Sequence, residues 1–461
     1  MIRHAVLLTT LTLLLAACGG GDGGGSAPPP VGGTGGGGGG GAATGCTSLQ
    51  ERQFVLNEMR TKYLYNDLLP EGATASSRPT AQELLSFLVE PARVQRKRGA
   101  RFSFLTTIAE DNAFIQSGAF AGFGFGSRPE AGGMRITFVI QGSPAEMAGF
   151  ARGQVILTIN GQAVTNSTEL QQAAGPPDVG LERTFRIRRL DGSEFEVTVA
   201  KAEVDTVPIP THAVFEQPGT PGIAYIDFRA FIRTADTALN TLFADFRAQG
   251  ITDYIIDLRY NGGGLVSTAE LFGDLLGGLA AEAEIYYQIR FNPARAALNE
   301  EYRFEPLPQT VLPARIVFIT SRGSASASEL LLNGLEPHLE VAMVGDRTFG
   351  KPVGQEGFDS TACGLRLRPI SFDIANADGR ADYFGGLPVD GSPVLCSAAD
   401  DLDFALGDPD EASLRTALDY LATGACPPLT LSAPAMAPAR ALEEVPAWLP
   451  RTPAEYYIGA Y

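Results

Sequence analysis

The chain has 461 residues, 44% of them apolar and 19% charged, which is long enough for two or three domains with sizeable cores. Its formal net charge is -17 and no basic stripe occurs, so a nucleic-acid partner is not expected. Five cysteines and three histidines form no Cys-x-x-Cys pair and no histidine cluster, so neither a metal nor a cofactor is expected.

Arg3 and His4 precede an apolar run, Ala5 to Leu15, that is short for a membrane span. It ends in Leu15-Ala16-Ala17-Cys18, which resembles a bacterial lipobox. That resemblance implies a signal peptide over residues 1–17, with Cys18 as the lipidation site and membrane tether. An ordinary secretory signal with an incidental cysteine is the competing reading. No aspartate follows Cys18, as in lipoproteins sorted to the outer membrane, so the body is expected to face the periplasm. Residues 18–45 are rich in glycine, with Pro28-Pro29-Pro30 and a run from Gly35 to Gly41, and predict a disordered leash, on the order of 30 Å in mean span. Cys46, Cys363, Cys396 and Cys426 then remain, and an exported chain can join them in three ways. The expectation is Cys363 with Cys396, which leaves Cys46 with Cys426.

Residues 46–110 read as a small helical N-terminal domain. Gln53, Phe54, Leu56, Met59, Tyr63 and Leu64 approximate a helical stripe. A second helix is expected from Thr80, with Glu83 completing a capping box and Pro91 as its stop.

Residues 111–204 alternate as strands do, for example over Met134 to Ile140, with turns at Asn160-Gly161 and Asp191-Gly192. Gly122-Phe123-Gly124-Phe125, then Gly142-Ser143-Pro144-Ala145, then Val155 to Gly161 occur in the order that resembles a PDZ domain. The resemblance implies a β-sandwich-like domain in which Gly122, Phe123, Gly124 and Phe125 form a peptide-binding loop. Such a loop offers backbone N–H groups to a carboxylate while the peptide adds a strand to the sheet edge. Gln154 departs from the aspartate usual there, so a looser turn is expected.

Residues 205–426 alternate strands and helices, which argues for an α/β domain. Strands are expected at 222–228, 253–258, 314–320 and 341–344, and helices at 234–249, 266–276 and 327–335. His212 reads as linker, and His338 falls just past a helix. Residues 427–461 turn Pro- and Ala-rich and read as a tail. Its apolar end, Tyr456 to Tyr461, leaves two readings open: a segment packed on the body, the plainer one, or one that enters the chain's own PDZ groove or is trimmed there.

Serine needs a partner to take its proton, and neither His212 nor His338 stands in a triad context. A lysine serves if burial keeps it neutral. Ser326 lies where strand 314–320 gives way to helix 327–335, and Lys351 follows 25 residues later. The helix start offers the N–H of Ala327 to a developing oxyanion, and the loop Asn261-Gly262-Gly263-Gly264 offers that of Gly263. Taken alone, Ser326 with Glu329 is a capping box and Lys351 a surface charge.

Together, Asp257-Leu258-Arg259-Tyr260-Asn261-Gly262-Gly263-Gly264, the run Gly323 to Glu329 and Phe349-Gly350-Lys351 strongly resemble the C-terminal processing (tail-specific) serine proteases, peptidase family S41. In that family the middle serine is the nucleophile, a lysine 25 residues on is the base, and a glutamine four residues later orients it. Ser326, Lys351 and Gln355 match that spacing. Pro352, where many members have glycine, departs from it and leaves substrate preference open. The resemblance implies a multidomain α/β architecture with a crotonase/ClpP-like protease core, and a serine endopeptidase working through an acyl-enzyme. Its partners would be proteins or peptides with accessible C-termini, with an adaptor or activator protein left open. The alternative is a PDZ-containing scaffold lipoprotein with a vestigial core, against which the retention of both Ser326 and Lys351 argues.

Overall fold

A computed structural model describes residues 45–95, 102–217, 219–427 and 461 of the chain. The expected signal peptide, Cys18 and nearly all of the expected leash and tail lie outside the described residues. Among the described residues no helix is long and apolar enough to cross a membrane.

Helices Ser48–Lys62 and Ala81–Gln95 pack together through Val55, Leu56 and Met59 on one and Leu84, Leu85 and Leu88 on the other. Gln53 stays outside that face. Thr80 and Glu83 form the expected capping box: Glu83 Oε2 accepts from Thr80 N at 3.1 Å, and Glu83 N donates back to Thr80 Oγ1 at 3.2 Å. Pro91 does not stop the second helix, which runs on to Gln95. Proline removes one N–H bond there, and Leu88, Val89 and Ala92, buried on both sides of it, hold the turn. The helical region shares its core with Val353, Leu367 and Ile370 of the α/β part. Strand Phe104–Thr107 extends it further, pairing with Leu365–Arg368.

The PDZ region is an antiparallel sheet in the order Phe125–Glu130, Gly133–Val139, Val155–Ile159, Glu182–Arg188, Glu194–Ala200. Helices Pro144–Met147 and Ser167–Ala174 accompany it. Asn160 and Gly161 both have positive φ, 50° and 76°, as a tight hairpin between Val155–Ile159 and Gln162–Ala163 demands. Strand Ala119–Gly122 leaves this sheet and pairs with Ala202–Asp205.

The α/β part is a six-stranded sheet in the order Thr211–Phe215, Ile223–Asp227, Asp253–Asp257, Arg315–Thr320, Val341–Gly345, Val394–Ser397. The first pair is antiparallel and the rest are parallel. His212 therefore stands in an edge strand, not in a linker, because residues 211–215 find their hydrogen bonds on Ile223–Asp227. Helices Arg233–Gln249, Val266–Gly277 and Ala327–Leu335 bury Leu239, Phe243, Phe272 and Leu331 on one face. Helix Ala412–Thr423 covers the other with Leu414, Ala417 and Leu421. A second, four-stranded antiparallel sheet, Glu300–Arg303, Ile285–Phe291, Ile370–Ala375 and Val353–Gln355, stands beside it. The strands at 253–257 and 315–320 lead at their carboxyl ends into the loops that hold Gly262–Gly264 and Ser326.

The disulfides differ from the expected pairing. Cys46 joins Cys363, and Cys396 joins Cys426. Cys396 lies in strand Val394–Ser397, against which helix Ala412–Thr423 packs, so the nearest cysteine is the one just past that helix. Cys46 is brought to Cys363 because the first helix lies against the strands around Leu365.

Candidate active site

Ser326 immediately precedes helix Ala327–Leu335, at φ 59° and ψ -113°. An L residue avoids that region at a cost of about 1–3 kcal/mol, so its surroundings must impose it. They do so through the neighbouring serines. Ser324 Oγ donates to Leu258 O at 2.7 Å, Ser328 Oγ to Asn261 O at 2.8 Å, and Ala325 N to Asn261 O at 3.1 Å. Ser324 and Ser328 are buried and committed to carbonyls, whereas half-buried Ser326 lines a cavity of about 290 Å³.

Lys351 and Gln355 line the same cavity. Lys351 is 3% exposed. Its Nζ donates to Gln355 Oε1 at 2.7 Å and stands 5.4 Å from the centre of the Phe102 ring. Burial pulls its pKa down to about 7; Glu329 opposes that shift and Arg368 adds to it. Gln355 is held in turn by donating Nε2 to Phe102 O and, at 3.2 Å, to Arg368 O. Phe102 belongs to the helical region, so that region completes the lysine's surroundings. Pro352 is buried, and its carbonyl accepts from Ile374 N at 3.0 Å beside the strand that carries Gln355.

Glu329 has a larger role than its place in the helix suggests. It is fully buried and takes four donors. Oε2 accepts from Ser326 N at 2.9 Å and Lys351 N at 2.8 Å; Oε1 accepts from Gly350 N at 2.7 Å and Thr348 Oγ1 at 2.5 Å. Three backbone N–H groups and a donating hydroxyl suit the ionised carboxylate, although burial pushes its pKa up. One side chain thus ties the serine segment to the lysine segment. The capping-box spacing showed the first link; the second carries no local sequence signal.

Of the two expected oxyanion donors, Ala327 is the first helical residue, and its amide has no acceptor within the helix. The Gly263 amide is already engaged. Its N–H donates to Asn261 Oδ1 at 2.9 Å, in a turn closed by the asparagine itself. Gly264 faces the cavity instead. Phe231 N bonds Gly263 O and Leu265 N bonds Phe231 O, so the Gly264 amide takes no part in that pairing. Both positions require glycine. A Cβ on Gly263 would stand 2.8 Å from Ser326 Cβ, and one on Gly264 would stand 2.1 Å from Phe231 O.

In the PDZ region, Phe123 and Phe125 bury their rings against Phe185, with centroids at 5.0 and 6.1 Å. Only the backbone of the loop Gly122–Phe125 is presented. Gln154 is buried and donates Nε2 to Gly149 O at 3.3 Å, while its Oε1 has no partner among the described residues. The PDZ region meets the α/β part through charge. Arg152 donates to Tyr260 Oη at 2.5 Å and to Asp400 Oδ1 at 2.7 Å, and Tyr260 donates to Asp400 Oδ2 at 2.6 Å. Tyr260 directly precedes the glycine loop.

His338 is occupied elsewhere, with Nε2 2.9 Å from Ile285 O and its ring against Phe304. Neither it nor His212 lines the cavity.

A family model described as peptidase family S41 matches residues 222–385, and one described as PDZ domain matches residues 135–179. The chain is 28% identical over 261 residues to the carboxyl-terminal-processing protease of Picosynechococcus sp., a match that covers 53% of this chain and 57% of that protein. The carboxy-terminal processing protease CtpA of Bacillus subtilis is 26% identical over 239 residues, covering 51% of this chain and 48% of that one. The chain thus spans about half the length of these relatives. Among solved structures, a putative S41 protease from Bacteroides fragilis superposes with a TM-score of 0.63 at 21% identity, over 81% of this chain and 97% of that one. The photosystem II D1 C-terminal processing protease gives a TM-score of 0.50 at 18% identity, over 76% and 94%. The two structures bear on the fold, and they agree with the multidomain α/β architecture expected from the sequence. Residues 222–385 of the chain thus match peptidase family S41, and residues 135–179 match a PDZ domain.

Proposed function

We propose that this chain is a serine peptidase of the C-terminal processing kind, in which Ser326 and Lys351 form the catalytic dyad. The observation that carries the reading is the buried lysine, with a pKa of about 7, on the cavity that Ser326 also lines. Near neutral pH about half of such a lysine is unprotonated and able to act as a base. Neutral Lys351 takes the Ser326 proton as Oγ attacks the scissile carbonyl. The oxyanion forms opposite the Ala327 and Gly264 amides, which donate to it more strongly than to the ground-state carbonyl. The resulting lysine ammonium gives its proton to the departing amine, leaving an acyl-serine. A water, deprotonated by the same lysine, then attacks the ester carbonyl, and the lysine ammonium returns that proton to Ser326 Oγ as the C–Oγ bond breaks. Gln355 holds the lysine's direction and is a positioning residue in this scheme.

The relatives' printed names support a substrate class of protein or peptide tails, and the PDZ loop supports recruitment of those tails. The lipobox-like leader supports a tether at Cys18 in the cell envelope, facing the periplasm. The test is cleavage of unfolded casein by the purified chain and by Ser326→Ala. The variant is expected to lose at least about 10³-fold in rate. Equal cleavage by both, or none by either with candidate activators present, removes the peptidase reading. Tail peptides bound without cleavage would instead favour a scaffold.

A further inference from the structure

The PDZ loop already holds a ligand, and it comes from this chain. Tyr461, the last residue of the sequence, lies along strand Phe125–Glu130. Its main-chain oxygen accepts from Phe123 N at 2.8 Å and Gly124 N at 2.7 Å, and its N–H donates to Phe125 O at 3.0 Å. The loop that the sequence marked for a carboxylate thus binds the main-chain oxygen of Tyr461, and the strand edge takes its amide as an added strand does. The side chain is 8% exposed and belongs to the apolar cluster of Phe123, Phe125, Leu170 and Ala174, with its ring centroid 6.0 Å from that of Phe125. Backbone and side chain therefore both occupy a peptide's place. The plainer expectation, a tail packed on the body away from the groove, does not describe Tyr461.

We propose that Tyr461 is an internal ligand of the PDZ groove and that a substrate tail must displace it, an inference that rests on the proposed reading of this groove as the tail-recruiting site. Held in cis, the internal ligand competes at an effective concentration on the order of 1 mM. If the internal ligand binds the groove with an intrinsic Kd of about 100 μM, the apparent Kd of a competing tail rises by roughly tenfold, by one plus the ratio of those two values. The groove then selects tails that bind better than the chain's own. The dyad can be intact while recruitment is restrained.

The test uses a fluorescein-labelled hexapeptide with the sequence of Tyr456 to Tyr461, titrated by anisotropy against the full chain, Tyr461→Phe, Tyr461→Asp and a chain ending at residue 455. Tyr461→Asp sets a charge in the apolar pocket, and the shortened chain removes the ligand without altering the groove. Both are expected to bind the probe about tenfold more tightly than the full chain, with unlabelled peptide competing, and Tyr461→Phe to match the full chain. Measurable binding of equal strength to the full chain and the shortened chain overturns the internal ligand and leaves the groove reading standing. No binding to the shortened chain overturns the groove reading itself, and the inference with it.

Discussion

Glu329→Gln is the substitution that most directly tests how the site is held. The glutamine keeps the shape of the side chain and replaces one carboxylate oxygen with an NH2 group. Each oxygen of Glu329 now accepts two donors: Ser326 N and Lys351 N on one, Gly350 N and Thr348 Oγ1 on the other. Turned toward Ser326 N and Lys351 N, the NH2 meets two obligate donors; turned toward Gly350 N and Thr348 Oγ1, it can donate to the hydroxyl, so the favoured orientation leaves the Gly350 N–H unmet. A buried donor left unmet costs about 1–3 kcal/mol, so the substitution costs about 2 kcal/mol around a fully buried side chain. The serine and lysine segments then separate or shift, and a displacement of about 1 Å at reacting atoms costs about 10²-fold in rate. Urea unfolding and kcat/KM on a quenched peptide substrate measure the two effects.

A third readout separates loss of fixing from general damage. The Glu329 carboxylate raises the Lys351 pKa against the dominant effect of burial. Removing its charge lowers that pKa, so the rising limb of residual activity against pH is expected to move to lower pH than in the wild type. A variant within about 1 kcal/mol of wild-type stability with full activity refutes the bridging role. A limb that moves to higher pH refutes the electrostatic part.

In the wild type, kcat/KM is expected to rise with pH through about 7, because only the unprotonated Lys351 accepts the serine proton; a flat profile from about pH 5.5 to 8.5 refutes this. Lys351→Met should abolish cleavage yet leave unfolding free energy at pH 7 equal to or above wild type, since a buried amine is replaced by an apolar chain of similar length; loss of stability would mean that the ammonium is structurally required. Gln355→Ala should lower kcat by about 10–100-fold with little change in KM, because the lysine loses its aiming partner rather than the substrate its pocket. Replacing Cys396 and Cys426 together by serine opens a link between residues 30 apart in sequence and should cost about 3 kcal/mol in urea unfolding, with no change in the midpoint of the pH profile.

What was legible in the sequence was local. The serine helix begins at Ala327 because Ser326 and Glu329 mark its start, and that boundary agrees to the residue. The parallel strands around it are continuous apolar runs, which is why their limits were found to within a residue or so. What was not legible depended on which segments meet in space. Glu329 shows one partner by spacing and hides the other 22 residues away. Gly263 and Gly264 are equivalent as letters; only the turn closed by Asn261 makes one amide engaged and leaves the other on the cavity. The disulfide pairing followed from which helix covers which sheet face, and no spacing of cysteines encodes that. Pro91 failed as a helix stop because tertiary burial outweighed a local penalty.

Three features that a stable fold would avoid occur together at this site: a non-glycine residue at φ 59°, a lysine 3% exposed, and a carboxylate with no exposure at all. Each costs free energy in isolation, about 1–3 kcal/mol for the backbone alone. They are not independent, because Glu329 touches the other two. Its Oε2 fixes the amide of Ser326, which helps hold the strained backbone, and it fixes the amide of Lys351, which holds the side chain in the burial that lowers its pKa, while the carboxylate's own charge raises that pKa by a smaller amount. If the Lys351 segment swung out to water, the lysine would regain its charge and the serine would lose its base in the same motion. Geometry and acidity at this site are therefore set by one group of hydrogen bonds, and a substitution that loosens them is expected to shift the pH profile before it unfolds the protein.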